Sequence, residues 1–110
     1  MASYTEWTEE AIQHRAHALK ALRSALRLRI LAALAEADSN VRDLELHLRI
    51  SQPLISWHLS QLQLAGFVDV RRVGREAWYS LRPEAFRAMV ADLETLLKMP
   101  LGTSAIDGER

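Results

Sequence analysis

The stretch that decides the fold of this chain is Ser51-Gln52-Pro53-Leu54-Ile55-Ser56-Trp57-His58-Leu59, which continues to Ala65-Gly66. Ser51 is a preferred N-cap residue, and Pro53 falls in the first helical turn, where its missing N–H leaves no bond unmade. Gly66 is the residue type that most often ends a helix in the left-handed conformation. We therefore predict a capped helix 4 over residues 52–65, with a core stripe made by Ile55, Leu59 and Leu62.

Two helices are predicted near the start of the chain. Ser3 and Glu6 have the spacing of a capping box, so helix 1 is expected to start near Thr5. The long Ala- and Leu-rich run that follows contains no Gly or Pro, and Ser24 is suited to divide it as an N-cap. Helix 2 is therefore predicted over residues 24–37.

A short helix and a hairpin flank helix 4. The cluster Asp38-Ser39-Asn40 predicts a turn, and the apolar spacing after it predicts helix 3 over Arg42–Leu48. Beyond helix 4 the apolar period changes to two at Val68 and Val70, which predicts a strand. The tight turn Val73-Gly74-Arg75-Glu76 then leads into a second strand over residues 77–81.

The predicted fold is mainly α with a small β-hairpin, in the order α-α-α-α-β-β-α. The last helix opens at Pro83 and stops at Pro100. A short helix, a tight turn, a capped helix and a two-stranded wing form the winged helix-turn-helix arrangement. We expect residues 1–100 to form this single domain and residues 101–110 to form a flexible, largely polar tail.

Composition excludes several classes of protein. The chain of 110 residues has no cysteine, which excludes disulfides, thiolate metal sites and cysteine nucleophiles. It has no apolar stretch near the roughly 18 residues that span a bilayer and no signal-peptide pattern, so we expect a cytoplasmic protein without membrane contact. A Gly-rich phosphate loop and a catalytic Ser, His and Asp set are also missing, so an enzyme is not expected.

The distribution of charge fits a nucleic-acid partner better than the net charge of zero suggests. Residues 41–82 carry six arginines against four acidic residues, whereas residues 83–110 carry three basic residues against five acidic ones. The small basic excess therefore lies over the helix-turn-helix and the wing, where a DNA-binding face is expected.

Helix 4 and the wing supply the candidate contacts to double-stranded operator DNA. A helix fits the major groove, its N-terminus favours phosphates, and short polar side chains there reach base edges. The candidates on and before helix 4 are Ser51, Gln52, Pro53, Ser56, Trp57 and Ser60. Arginines of the wing reach the backbone or the minor groove, and the candidates there are Arg71, Arg72 and Arg75.

Each candidate has a plainer interpretation that the sequence leaves open. Ser51 and Gln52 either contact DNA or serve only as capping residues. Trp57 either faces DNA or packs against a neighbouring element. Arg71 and Arg72 either bind phosphates or belong to an ordinary solvated strand edge. His58 is interpreted as the donor or acceptor of a structural hydrogen bond rather than as a metal ligand.

The chain resembles the ArsR/SmtB regulators over residues 18–82. The resemblance rests on residues 51–59, Ala65-Gly66-Phe67-Val68 and the wing arginines around Gly74, with Arg27-Leu28-Arg29-Ile30-Leu31 similar to the family's second helix. It implies a homodimer that binds operator DNA and often releases it when a metal or another effector binds.

The sequence departs from the family pattern in its DNA-reading and effector positions. Trp57 stands where the family usually has a polar or basic residue, and Arg23-Ser24-Ala25 lacks the common Asp-Pro pair. The two cysteines of the family's thiolate site fall approximately on Asn40 and Arg42. The family's other metal site uses Asp and His ligands on helix 5. Here helix 5 has the acidic residues Asp92 and Glu94 but no histidine.

Helix 1 carries a different candidate metal site. Four ligand-type residues fall within about 80° of one another on a helix that advances about 100° per residue, namely Glu6, Glu10, His14 and His17. Imidazole with carboxylate suits Ni²⁺, Zn²⁺ or Co²⁺, with further ligands expected from the second subunit. The alternative is that these residues are ordinary neighbours on a helix surface.

We therefore expect a homodimeric, DNA-binding transcription regulator with a divalent metal as effector. The dimer is predicted to form through helices 1 and 5, on the apolar residues Trp7, Ala11, Leu22, Phe86, Val90, Leu93 and Leu97. The alternatives are a regulator with a non-metal signal, one that needs a partner regulatory protein, and a winged-helix module that binds protein instead of DNA.

Overall fold

The elements follow the order of a winged helix-turn-helix domain with one strand more than the sequence predicts. In this computed structural model, residues 7–98 are described. The elements are α1 Glu9–Ala21, α2 Ala25–Glu36, β1 Ser39–Asn40, α3 Val41–Leu48, α4 Gln52–Leu64, β2 Val68–Val73, β3 Glu76–Leu81 and α5 Pro83–Lys98. The mainly helical fold with a small hairpin is confirmed. The predicted boundary at residue 100 and the tail 101–110 lie outside the described residues.

Local capping chemistry sets the first two helices. The first helix begins at Glu9, and the expected start near Thr5 is wrong, because Thr8 is extended and its hydroxyl accepts the Ala11 N–H at 3.1 Å. Ser3 and Glu6 lie outside the described residues. The predicted division at Ser24 is confirmed, since its hydroxyl accepts the Arg27 N–H at 3.2 Å.

The predicted turn before α3 is partly a strand. Ser39 and Asn40 pair antiparallel with Tyr79 and Trp78, which gives a three-stranded sheet in the order β1-β3-β2. Asn40 also caps α3, because its side-chain oxygen accepts the Asp43 N–H at 2.7 Å. The extended backbone that an N-cap requires is here long enough to pair with the free edge of β3.

The predicted end of α4 and the predicted hairpin are confirmed within a residue. The helix ends at Leu64, and Gly66 has the expected left-handed conformation with φ of 88°. The wing strands pair from Val68 opposite Leu81 to Val73 opposite Glu76, with Gly74 at φ of 64° in the turn.

The core lies where α2, α3, α4 and the base of the wing meet. Its fully buried side chains are Ile30, Leu44, Ile55, Leu59, Leu62, Phe67 and Val68. Because α4 contributes three of them from one face, its opposite face is left in solvent. None of the helices in residues 7–98 combines the length and hydropathy that crossing a lipid bilayer requires.

Candidate nucleic-acid interface

The structure brings the candidate residues of α4 onto one solvent-exposed side. The buried residues of this helix lie on the other side, namely Ile55, His58, Leu59 and Leu62. Among the exposed residues are all the helix 4 candidates, Gln52, Pro53, Ser56, Trp57 and Ser60. A helix with one anchored face and one free face can enter a major groove without disturbing the core.

The N-terminus of α4 is open to an anionic partner. Ser51 is exposed and has the extended backbone of an N-cap, but its side chain makes no capping hydrogen bond. The first turn carries no acidic residue, so the positive end of the helix dipole is not neutralised. The capping-only interpretation of Ser51 is therefore weakened, since its hydroxyl does not bond to the turn that it precedes.

Ser60 is partly committed to its own helix. Its hydroxyl donates to the carbonyl oxygen of Trp57 at 2.7 Å. The oxygen lone pairs can still accept a hydrogen bond, for example from the amino group of a base. Among the candidates on α4, Ser60 is thus an acceptor rather than a donor.

The ring of Trp57 packs against neighbouring side chains and yet stays largely exposed. Its ring packs against the Arg27 guanidinium, 5.2 Å from the ring centroid, and meets the His58 ring edge-on with centroids 4.9 Å apart. The side chain nevertheless remains 53% exposed. It therefore packs within the chain on one side and offers a large apolar surface to a partner on the other.

His58 makes the structural hydrogen bond expected of it. It is buried beside Trp57, and Arg27 donates from Nε to its Nδ1 at 2.9 Å. Burial, with the positive charge of Arg27 as the second cause, holds the pKa of His58 below its ordinary value. Its Nδ1 therefore acts as the acceptor that Arg27 needs, and His58 fixes α4 to α2.

Arg27 is a site residue that the sequence reasoning missed. The sequence places it in the second helix, and it reaches His58 across 31 positions of the chain. Helical spacing indicates that an arginine is on a given face, but the packing of α2 against α4 decides which neighbour it meets. No local signal in the sequence identifies this contact.

The wing arginines divide into two kinds. Arg71 pairs with Asp38 at 3.1 Å, and because its side chain remains 60% exposed, this pair leaves both interpretations of Arg71 open. Arg72 and Arg75 are exposed near the tip, and within residues 7–98 neither makes an ion pair. The wing can extend these two side chains to a phosphate without breaking an ion pair.

The candidate metal ligands are not gathered into one site. Glu10, His14 and His17 are all exposed on α1, but Glu10 and His14 border a shallow hollow next to Asp92, whereas His17 borders a separate cleft. Asp92 is held by Arg15 at 3.0 Å. In the described part of the chain, no three His, Cys, Asp or Glu side chains are placed to hold an ion. Glu6 lies outside it.

The sequence of this chain matches a family of bacterial regulators. The model of the bacterial regulatory protein arsR family matches residues 24–70. The biofilm growth-associated repressor of Agrobacterium fabrum is 33% identical over 82 residues, which cover 74% of this chain and 70% of the relative. Matches to curated relatives cover between 52% and 71% of the relatives' own length.

Solved structures agree with the family match. An ArsR-like transcriptional regulator from Rhodococcus sp. RHA1 superposes with a TM-score of 0.74 at 30% identity, over 79% of this chain and 82% of its own. A homodimeric winged helix-turn-helix DNA-binding domain from Mycobacterium bovis shares the fold, with a TM-score of 0.69 at 23% identity over 87% and 89% of the two chains. These relatives are regulators and not enzymes, and the chain belongs to the arsR family of bacterial regulatory proteins.

Proposed function

We propose that this protein is a homodimeric repressor that binds double-stranded operator DNA through α4 and the wing. The observation that carries the proposal is the exposed side of α4, which offers polar side chains and an acid-free N-terminus while its other side is anchored in the core. The exposed Arg72 and Arg75 supply backbone contacts beside it. Repression is supported by the name of the Agrobacterium relative, and a protein that binds the chromosome is expected in the cytoplasm.

The dimer is proposed to form on the apolar surface of α1 and α5. We call this surface the α1–α5 face; its exposed apolar residues are Ile12, Leu19, Val90, Leu93, Leu96 and Leu97. It borders an apolar groove of about 370 Å³ between the two helices. When two copies pair across a two-fold axis, the α1–α5 face of each protomer is covered by that of the other. The fold relative from Mycobacterium bovis is itself homodimeric.

The α1–α5 face differs in part from the set of residues that the sequence predicts for the dimer contact. Leu22 and Phe86 are half-buried and pack against the core, so only part of each side chain is left for a partner. Trp7 is half-buried as well, and its indole N–H donates to the Thr95 hydroxyl at 2.8 Å. Ile12 and Leu19 extend this surface on α1, because both are exposed and line the groove beside Trp7.

Replacing Gln52 or Ser56 with Ala is expected to cost about 1–3 kcal/mol on the specific operator and little on random DNA, because base contacts supply specificity. Replacing Arg72 or Arg75 is expected to weaken binding to both DNAs and to reduce the salt dependence. The operator is first selected from a randomised duplex library, and affinities are then measured by fluorescence anisotropy.

The random duplex of equal length is the control for each variant. Equal losses on both DNAs for Gln52→Ala would contradict its role in reading bases. Failure of the wild type to bind any duplex would overturn the proposed function and favour the protein-binding winged-helix module.

The proposal of a divalent metal effector rests on two exposed imidazoles on α1. His14 and His17 are three positions apart, about one helical turn, on a helix that borders the proposed dimer surface. The described residues of one chain do not complete a ligand set, so the site requires donors from a second subunit. A non-metal effector and a partner regulatory protein are the competing proposals.

Titration of the dimer with Ni²⁺, Zn²⁺ and Co²⁺ tests the metal effector. We expect the wild type to bind the metal and the His14→Ala, His17→Ala double variant to lose this binding, because the two imidazoles that it lacks are the proposed nitrogen ligands. His47→Ala on α3 is the matched control, since it removes an exposed imidazole outside α1. Unchanged affinity and stoichiometry in the double variant would remove this site and leave a non-metal or protein effector.

A further inference from the structure

A basic cleft, separate from the apolar groove of the α1–α5 face, lies beside α4. It has a volume of about 480 Å³ and is formed by the end of α1, the start of α2 and one flank of α4. Its cationic residues are Lys20, Arg23 and Arg27, with His17 at the border, and its lining contains no acidic side chain. The α4 side consists of Trp57, Gln61 and Leu64, so the cleft is continuous with the exposed side of α4.

Arg27 is held in the cleft in a fixed orientation. Its Nε donates to His58 at 2.9 Å, and one Nη donates to the Ala21 carbonyl oxygen at 3.2 Å. The guanidinium also packs against the ring of Trp57. A guanidinium has five N–H donors, so three remain for a ligand while the side chain is already ordered. An ordered donor loses less entropy on binding than a free one.

Lys20 and Arg23 supply further positive charge at the opening of the cleft. Both are exposed, and in the described part of the chain neither forms an ion pair. The α2 helix starts at this cleft and has no acidic residue in its first turn, a feature that it shares with α4. The first turns of α1, α3 and α5 all contain an acidic residue. The positive end of the α2 dipole therefore adds to the charge of Lys20, Arg23 and Arg27 at the cleft.

We propose that this cleft binds a backbone phosphate of the DNA strand that borders the groove entered by α4. The inference deepens the proposed function and rests on it. DNA is favoured over a free anion because the cleft opens along α4, and half-exposed Trp57 belongs both to the cleft and to the exposed side of this helix. Such contacts carry no sequence information, but they fix the orientation of the protein on the duplex.

The Lys20→Gln, Arg23→Gln double variant tests this cleft against a matched control. Arg87→Gln, Lys98→Gln removes the same charge from exposed positions of α5 outside the cleft. Affinities of both variants and the wild type are measured on the selected operator and on random duplex, between about 50 and 200 mM salt. Circular dichroism confirms that the variants are folded.

We expect the cleft variant to lose affinity by the same factor on both DNAs. The slope of log K against log salt should fall by about 0.9 for each phosphate that the variant no longer neutralises, and the control should change less. Equal slopes for the cleft variant and the control, with the wild type bound to DNA, would overturn the cleft alone. Absence of duplex binding by the wild type would overturn the cleft and the proposed function together.

Free inorganic phosphate separates the DNA backbone from a small anion as the ligand. At constant ionic strength, phosphate is expected to leave the operator affinity of the wild type unchanged or to lower it, because it competes with the DNA backbone for the same cleft. A rise in affinity that occurs in the wild type and is absent in the Lys20→Gln, Arg23→Gln variant would assign the cleft to a free anion and overturn the proposal.

Discussion

Leu93→Glu is expected to yield a folded monomer whose affinity for the operator is lower by about 10²–10⁴-fold, the range that joining two binding modules adds. Leu93 is 41% exposed and borders the groove of the α1–α5 face. In a monomer the new carboxylate reaches water, so the fold is retained. Across a two-fold interface two such carboxylates would be buried without a partner, which the dimer cannot tolerate.

The oligomeric state and the affinity must change together for this explanation to hold. Light scattering at micromolar concentration gives the mass, and anisotropy with the selected operator gives the affinity. Ala91→Glu places the same charge on an exposed position of α5 two residues away and is expected to stay dimeric. A Leu93→Glu dimer, or a monomer that binds the operator as tightly as the wild type, would contradict the proposed assembly.

The features that the sequence predicted correctly depend on local chemistry. Ser24 caps its own helix, Gly66 takes up a positive φ at the end of its own helix, and Gly74 allows a turn between adjacent strands. Each requires only a few neighbouring residues, so the residue type and its spacing are sufficient. The exposed side of α4 follows in the same way, since its buried stripe recurs at helical spacing.

The features that the sequence did not predict depend on contacts between distant residues. Ser39 forms a strand only because Tyr79 presents a free edge to it. The start of α1 is an exception, because it depends on a local cap at Thr8, where the sequence also offers the spacing of Ser3 and Glu6. The basic cleft exists only once α1, α2 and α4 are packed, so its residues appear unrelated along the chain.

Phe67 shows how such distant contacts set the position of the wing. Its ring is 1% exposed and lies 4.8 Å, centroid to centroid, from the ring of Phe86 on α5. Its backbone N–H donates to the Leu62 carbonyl oxygen at 3.0 Å, and its own carbonyl oxygen accepts the Arg82 N–H at 2.9 Å. One residue thus joins α4, both ends of the hairpin and α5.

Phe67→Ala is expected to lower the free energy of unfolding by about 3–5 kcal/mol, since it leaves a cavity in the packed core. This is a large part of the roughly 5–15 kcal/mol that stabilises a domain. Urea denaturation followed by circular dichroism, at one protomer concentration, measures the change. Leu46→Ala, at a position 68% exposed, is the control and is expected to stay within about 0.5 kcal/mol of the wild type. A loss no larger than that of this control would show that Phe67 does not anchor the wing.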